Sequence, residues 1–109
     1  MLNMPRTERK LSLLGSTNVP LNASGDFESD IFTVSSSERI TGSCYADQDG
    51  TLYVYQGMDG INFDFEQSYS YTSTEKLGFS VDVVCLYAYI IFVNGLTGQT
   101  EFRLSWGTV

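Results

Sequence analysis

The chain has 109 residues, of which 42% are apolar and 14% aromatic, so it is long and apolar enough for one folded domain. Histidine is absent, which excludes serine or cysteine nucleophiles activated by imidazole and most zinc sites. The formal net charge is −7: residues 1–10 carry +2, from Arg6, Arg9 and Lys10 against Glu8, and the other residues carry −9.

The first thirty residues show little regular patterning. We predict an extended N-terminal arm over residues 1–10 and a short edge strand over residues 11–14. Residues 15–30 are rich in Ser, Asn, Gly and acids and are predicted to be irregular. The chain therefore divides into an arm and lead-in, residues 1–30, and a folded domain, residues 31–109.

Beyond residue 30, apolar and polar residues alternate with a period of two, which is typical of strands with one buried face. Turns rich in Gly, Asp and Asn separate these runs, and no stretch has the 3.6-residue apolar repeat of a long helix. The pattern predicts an all-β fold, a single antiparallel β-sandwich of jelly-roll-like type. The predicted strands cover residues 31–34, 39–46, 51–56, 61–65, 77–83, 87–93 and 101–106, with a polar connection over residues 68–74.

The strand predicted for residues 87–93 is apolar on both faces, whereas an antiparallel sandwich usually leaves the outer face of each sheet to water. Its outward side chains, together with the outward tyrosines of neighbouring strands, form an aromatic patch if they share one sheet. The alternative is that tyrosine is simply a good strand former with a hydrated hydroxyl. The predicted interface residues are Arg6, Arg9 and Lys10 of the arm and Tyr45, Tyr53, Tyr55, Tyr87, Tyr89 and Ile91 of the strands.

No group of residues points to catalysis, a cofactor or a metal. Residues 47–50 form a hairpin turn rather than a calcium loop, because the further oxygen ligands are missing. Asp64 and Glu66 are a candidate acid pair, but a domain of this size has little room for a cleft. Trp106 alternates with apolar residues and is expected in the core rather than on a sugar-binding surface. We expect no enzymatic activity.

Cys44 and Cys85 lie in apolar strand patterns, which favours buried free thiols, with a bridge across the core as the alternative. Basic and acidic residues near the start interrupt any signal-peptide core, and the longest apolar run, residues 83–93, is too short to span a bilayer. We therefore expect synthesis in the cytoplasm and no membrane partner. The acidic body predicts no nucleic-acid partner, because it repels phosphate backbones.

Two stretches resemble small structural proteins of tailed bacteriophages. Residues 40–56, ITGSCYADQDGTLYVYQ, resemble the family hairpin G-x-x-Y-A-D-Q-x-G-T-L-Y, and residues 59–64, DGINFD, resemble its D-G-x-N-W-D turn with Phe63 in place of tryptophan. Residues 87–104 resemble the closing pattern Y-x-R-x-x-Y-x-N-G-x-x-x-Q-T-x-F-R-L, with Ile90 and its neighbours where arginine is usual. The resemblance implies a β-sandwich virion component, such as a head decoration protein, and it supplies no catalytic residue.

The residues and the resemblance together favour a capsid decoration or cement protein located in the virion. It would bind the major capsid protein or other virion proteins through its aromatic strand faces and basic arm, and would itself form a homo-oligomer. A tail or particle-surface module that binds host glycans through tyrosines is the second hypothesis, and a hydrolase is the third. No cofactor is expected.

Overall fold

The computed structural model describes residues 11–109, so the predicted arm with Arg6, Arg9 and Lys10 lies outside the described residues. The described chain is built from β-strands, and none of its segments is a helix long and apolar enough to cross a membrane. The strands are β1 (Ser12–Thr17), β2 (Asp26–Glu28), β3 (Phe32–Thr33), β4 (Arg39–Ala46), β5 (Gly50–Gly57), β6 (Phe65–Tyr71), β7 (Leu77–Asp82), β8 (Tyr87–Asn94) and β9 (Phe102–Thr108).

The strands form two antiparallel sheets that pack face to face. Sheet A has the order β1-β9-β4-β7, and sheet B has the order β2-β8-β5-β6, with β3 also paired to β8. If the two-residue β3 is left out and the other eight strands are renumbered from one to eight, sheet A has the order one-eight-three-six. Sheet B then has the order two-seven-four-five. This is the strand order of a jelly roll. The predicted all-β antiparallel sandwich is confirmed.

Strand alternation separates the core from the two outer surfaces. In β8, Ala88, Ile90 and Phe92 point between the sheets and are fully buried, while the residues between them point outward. Trp106 of β9 is 7% exposed and belongs to the core, as predicted. The remaining core side chains come mainly from β4, β5, β7 and β9, including Ile40, Cys44, Leu52, Val54, Phe79, Val81, Phe102 and Leu104.

Two strands lie inside the segment predicted to be an arm and lead-in. The predicted edge strand over residues 11–14 is present as β1, and it pairs with β9 of its own sheet. β2 pairs with β8, although its three residues are too few for a recognisable alternation. The sandwich therefore includes residues from Ser12 onward, and the boundary placed between residues 30 and 31 is corrected.

The strand predicted for residues 61–65 is wrong, because a side chain replaces the strand ladder there. The carboxylate of Asp59 accepts hydrogen bonds from the backbone N–H groups of Ile61 and Asn62 at 2.9 and 2.8 Å. Gly60 adopts a φ of +75°, which glycine tolerates without strain. These contacts make an Asx-type loop between β5 and β6.

The polar connection predicted for residues 68–74 is also wrong over most of its length, because β6 continues to Tyr71. β6 is an edge strand of sheet B, so Ser68 and Ser70 face water without cost. Tyr71 points inward, and its hydroxyl accepts the N–H of Ala46 at 2.8 Å. The strand was therefore missed in the sequence because its outward residues are polar.

Both cysteines are free, which confirms the prediction of free thiols. Cys44 is buried in β4, and burial raises the pKa of this thiol to about 12. Cys85 lies in the loop between β7 and β8 and is half-buried rather than buried. The pKa of Cys44 keeps its thiol neutral and unreactive at physiological pH.

Candidate protein-binding face

The outer surface of sheet B carries a continuous group of aromatic and apolar side chains, which we call the aromatic face. Strand alternation points these residues away from the core, and the register places Tyr55 beside Tyr89 and Tyr53 beside Ile91. The structure therefore brings together most of the residues that the sequence assigned to an interface. The face consists of Tyr53 and Tyr55 of β5, Tyr87, Tyr89 and Ile91 of β8, and Phe63 of the β5–β6 loop.

The rings of the aromatic face form a packed row. Tyr53 and Tyr55 are 5.9 Å apart between ring centroids with planes at 21°, and Tyr55 and Tyr89 are 5.0 Å apart at 15°. Near-parallel rings at these distances are stacked with an offset, because coplanar rings at the same separation would collide edge to edge. Phe63 completes the row, 4.7 Å from Tyr89 with its plane at 90°. The row therefore presents ring edges and hydroxyl groups outward.

The aromatic face is flanked by carboxylates on both sides. Glu66 of β6 lies opposite Tyr55, and Glu28 of β2 lies opposite Ile91. Loss of water and then the Glu66 carboxylate raise the pKa of Tyr55, and loss of water and then Glu28 raise the pKa of Tyr89. These tyrosines stay neutral, so their hydroxyls are hydrogen-bond donors over the whole physiological range.

The basic side chains of the described residues are separated from this face. Arg39 and Arg103 belong to β4 and β9 of sheet A, and Lys76 immediately precedes β7 of the same sheet. The strands of sheet B carry neither lysine nor arginine. Sheet B thus presents an aromatic surface with negative flanks, which favours a partner that carries positive charge.

Tyr45 does not belong to the aromatic face, which corrects the hypothesis that all outward tyrosines share one sheet. It lies on the outer surface of sheet A, where the guanidinium carbon of Arg103 stands 4.6 Å from its ring centroid. Its neighbours on that surface include Ser43 and Ser105, so the surroundings are polar. β4 and β5 are consecutive in the chain but lie in different sheets, and strand alternation alone does not reveal this.

The β5–β6 loop covers one end of the aromatic face. Gly60 lies against Tyr87, since a Cβ atom at this glycine would stand 3.6 Å from the ring, in ordinary van der Waals contact. Phe63 covers Tyr89 in the same way. The loop thus covers part of the outer face of β8, the strand that is apolar on both faces. Sequence reasoning missed Phe63 because the predicted alternation of residues 61–65 placed its side chain in the core.

Beyond this end, the loops carry exposed apolar side chains, which we call the loop-end cluster. Met58 and Ile61 of the β5–β6 loop are 60% and 80% exposed, and Val84 and Leu86 of the β7–β8 loop are 55% and 40% exposed. The N–H of Leu86 donates to the carbonyl of Gly57 at 3.2 Å, which holds the two loops together. The cluster extends the apolar surface past Tyr87, the residue that follows Leu86.

The loops are fixed by a buried glutamine at the end of β5. The Nε2 atom of Gln56 donates to the carbonyl of Asp82 at 2.9 Å, and its Oε1 atom accepts the N–H groups of Val84 and Cys85 at 2.9 and 3.3 Å. Gln56 is fully buried, so these bonds are not exchanged with water. The loop-end cluster therefore stands on a rigid base.

The acidic residues considered for calcium or hydrolysis have other surroundings. Asp47 accepts the N–H groups of Thr100 and Glu101 at 3.0 and 3.2 Å, and a hydrogen bond from the Thr100 hydroxyl, with these backbone bonds, lowers the pKa of Asp47. Asp64 lies in the loop and Glu66 on β6, and both are exposed. Over residues 11–109, no three metal-ligating side chains lie together.

Two solved structures are similar to this chain to different degrees. The crystal structure of the PBSX exported protein XepA matches with a TM-score of 0.78 and 20% identity over 90% of this chain. The match covers 36% of XepA, so this chain spans about a third of the length of that protein. A structure described as "CBM4 structure and function" has a TM-score of 0.49 and 14% identity, over 91% of this chain and 76% of that one.

At this level of identity, the XepA match shows a shared β-sandwich fold and no more. A comparison with curated protein sequences returns no significant match. The family model described as the N-terminal domain of the uncharacterised protein YqxG matches residues 6–109, which is nearly the whole chain. The chain therefore belongs to the YqxG N-terminal domain family.

Proposed function

We propose that this chain is a structural virion protein of a tailed phage, a decoration or cement protein that binds neighbouring capsid subunits through the aromatic face. The sequence resemblance to phage structural proteins supports the context, as does the fold shared with the PBSX exported protein XepA. The observation that carries the proposal is the row of stacked rings on the outer surface of sheet B.

The row is suited to protein contact because its rings are already ordered. Tyr55 is held between Tyr53 and Tyr89, so association immobilises few additional side chains. Tyrosine is enriched at the energetically important centres of protein interfaces, where its ring is buried and its hydroxyl finds a partner. The loop-end cluster adds adjoining apolar surface, with Ile61 80% exposed. Together they form one extended contact surface.

The two outer surfaces of the sandwich differ, which supports an oriented attachment. The outer side of sheet A presents small polar residues such as Thr41, Ser43 and Ser80, typical of a surface left in water. Sheet B presents the rings between Glu28 and Glu66. A particle surface binds many copies at once, so a modest affinity at each copy is enough for stable coverage.

Glycan binding by the same tyrosines is the competing function, and the ring geometry favours protein contact. Stacking on a sugar needs a free ring face, whereas Tyr55 already stacks on both Tyr53 and Tyr89 within the protein. Trp106, the single tryptophan, is 7% exposed and lies in the core. The aromatic groups that commonly bind sugars are thus engaged within the protein.

A matched pair of charge insertions tests the proposal. Tyr53→Glu places a carboxylate in the aromatic face, and Ser43→Glu places one on the outer surface of sheet A. Tyr53→Glu removes one ring of the stacked row and forces a carboxylate to lose its water at the contact, so we expect it to lower copy number on purified particles at least about tenfold. Ser43→Glu should bind as the unaltered chain does, and circular dichroism should show both variants folded.

Three results would oppose the proposal. Equal copy numbers for the two variants would show that the aromatic face makes no essential contact. Absence of the unaltered chain from particles would remove the virion context. Specific binding on a glycan array that is lost in Tyr53→Glu would favour the glycan-binding module instead.

A further inference from the structure

A second surface lies on the flank of the sandwich, where edge strand β1 of sheet A faces β2 and β3 of sheet B. It contains an open cavity of about 370 Å³, which we call the flank cleft. Phe27, Phe32 and Trp106 line the cleft with aromatic surface, and the acidic residues Glu28 and Asp30 also border it. The flank cleft is separate from the rings of the aromatic face.

The packing around Trp106 keeps its indole at the wall of the cleft. The Phe27 ring lies 5.5 Å from the Trp106 ring between centroids. Across the strand pair, a Cβ atom at Gly15 would come within 2.5 Å of an indole carbon, a distance that real side chains do not tolerate. A glycine at this position therefore lets the indole edge reach the cleft.

The chemistry of the cleft fits a cationic side chain. Glu28 and Asp30 are exposed carboxylates, and neither arginine nor lysine of the described residues lines the cavity. The aromatic rings and the bordering carboxylates would hold the aliphatic stem of lysine or arginine and pair with its charge. The cleft therefore selects a basic side chain on an extended segment.

Next to the cleft, β1 presents an uncovered apolar strip. Leu11, Leu13 and Leu14 are 56%, 71% and 45% exposed, and β1 is an outer strand of its sheet without a charged side chain. Natural proteins usually protect such an edge with charges or cover it with another segment. The flank thus combines an apolar strip with an acidic, aromatic cleft.

Residues 1–10 of this chain match both features. The segment has Leu2 and Met4 for the apolar strip, and Arg6, Arg9 and Lys10 for the cleft. The segment is separated from β1 by Leu11 alone, and ten residues in an extended conformation would reach about 33 Å, enough to return along the flank. A short tether gives an effective concentration in the millimolar range, which favours the attached segment over a free one.

We propose that residues 1–10 dock on the flank of their own molecule and place a basic side chain in the flank cleft. The opposite charges of the segment, +2, and of the rest of the chain, −9, favour this contact. The sequence alone predicts that residues 1–10 contact neighbouring subunits. The flank cleft, however, provides a binding site in the same molecule, beside the strand that follows this segment. The proposal does not depend on the proposed function.

Trp106 is the only tryptophan, and it borders both the core and the flank cleft, so its fluorescence responds to a change at the cleft. Deletion of residues 1–10 should shift its emission to longer wavelength and increase its quenching by acrylamide. Addition of a synthetic peptide of residues 1–10 at millimolar concentration to the shortened protein should reverse both changes. High salt should weaken the protection in the full chain, because the contact pairs opposite charges.

Three multiple variants separate this contact from a general loss of structure. A charge reversal, Arg6→Glu with Arg9→Glu and Lys10→Glu, keeps the chain length and should behave like the deletion. Neutralising the two bordering acids with Glu28→Gln and Asp30→Asn should do the same. The control, Glu38→Gln with Asp64→Asn, removes two exposed carboxylates that lie away from the cleft and should leave emission and quenching unchanged.

The same measurements can overturn the proposal. Unchanged emission and quenching after both the deletion and the charge reversal would show that residues 1–10 do not cover the cleft. Protection that disappears on dilution of the full chain would assign the contact to a second copy and exclude docking within one molecule. If the variant with both bordering acids neutralised binds the peptide as strongly as the unaltered cleft does, the charge pairing is excluded.

Discussion

The stacked row makes a quantitative prediction about Tyr55, the ring that stacks on two aromatic neighbours. Its centroid lies 5.9 Å from that of Tyr53 and 5.0 Å from that of Tyr89. Each aromatic pair contributes about 0.5–1.5 kcal/mol beyond the burial of area. Tyr55→Ala removes both pairs and should therefore lower the free energy of unfolding by about 1–3 kcal/mol.

Tyr55→Phe is the matched control, because it keeps both stacked contacts and removes only the hydroxyl beside Glu66. Its free energy of unfolding should stay within about 0.5 kcal/mol of the original. Urea titration followed by circular dichroism measures both variants. For a domain of this size, each kcal/mol also lowers the melting temperature by about 4–8 °C, which gives an independent check.

The reasoning is refuted if Tyr55→Ala unfolds at the same urea concentration as the unaltered chain. It is equally refuted if Tyr55→Phe is as destabilised as Tyr55→Ala, since the hydroxyl would then matter and the stacking would not. A loss confined to Tyr55→Ala indicates a row that is ordered before any partner binds.

Further predictions concern the core, the loops and pH. Gln56→Leu deprives three backbone groups of their partner and should cost at least about 2 kcal/mol in urea unfolding; an unchanged midpoint would show that water replaces the amide. Gly42→Ala would set a Cβ atom 2.2 Å from a carbonyl oxygen of β9 and should cost about 1–3 kcal/mol or more, whereas an unaffected melting temperature would contradict this packing. The pKa values of Asp47 and Asp59 are lowered by hydrogen bonds, so their stabilisation is present above about pH 4 and is lost as pH falls through the lowered values. Combining Asp47→Asn with Asp59→Asn should flatten the acid side of the pH–stability curve, and an unaltered curve would assign it to other carboxylates. Cys44, with its pKa raised to about 12, should resist a thiol reagent until the protein unfolds, and rapid labelling in the native protein would contradict its burial.

Much of the fold follows from the period-two pattern. The predicted bounds of β4, β5 and β9 are near the observed ones because each has one buried face and alternates accordingly, and β8 is recognised as a short apolar run that ends at a glycine-rich turn. The two-sided character of β8 also pointed to a special outer surface, and Tyr53, Tyr55 and Tyr89 do meet there. The period-two pattern is read from neighbouring residues, and it is enough to identify single strands and the two faces of each strand.

The errors concern features that local periodicity does not determine. Tyr45 alternates just as Tyr53 does, yet the two lie on opposite sheets because the chain crosses between layers at the turn after β4. Phe63 lies in an alternating stretch, but the Asp59 carboxylate accepts hydrogen bonds from the N–H groups of Ile61 and Asn62 and holds this stretch as a loop. The Phe63 ring therefore packs on Tyr89 on the outer surface. β2 has only three residues, too few to show an alternating pattern, and it is a strand because it pairs with β8.

The central claim is that another protein chain covers the aromatic face in the native assembly. Tyrosine modification read by mass spectrometry, in the free protein and on purified particles, tests it most directly, with Tyr45 of sheet A as an internal reference. The account predicts that Tyr53 and Tyr89 become strongly protected on particles while Tyr45 is modified equally in both states. Equal modification of Tyr53 in the two states would contradict it.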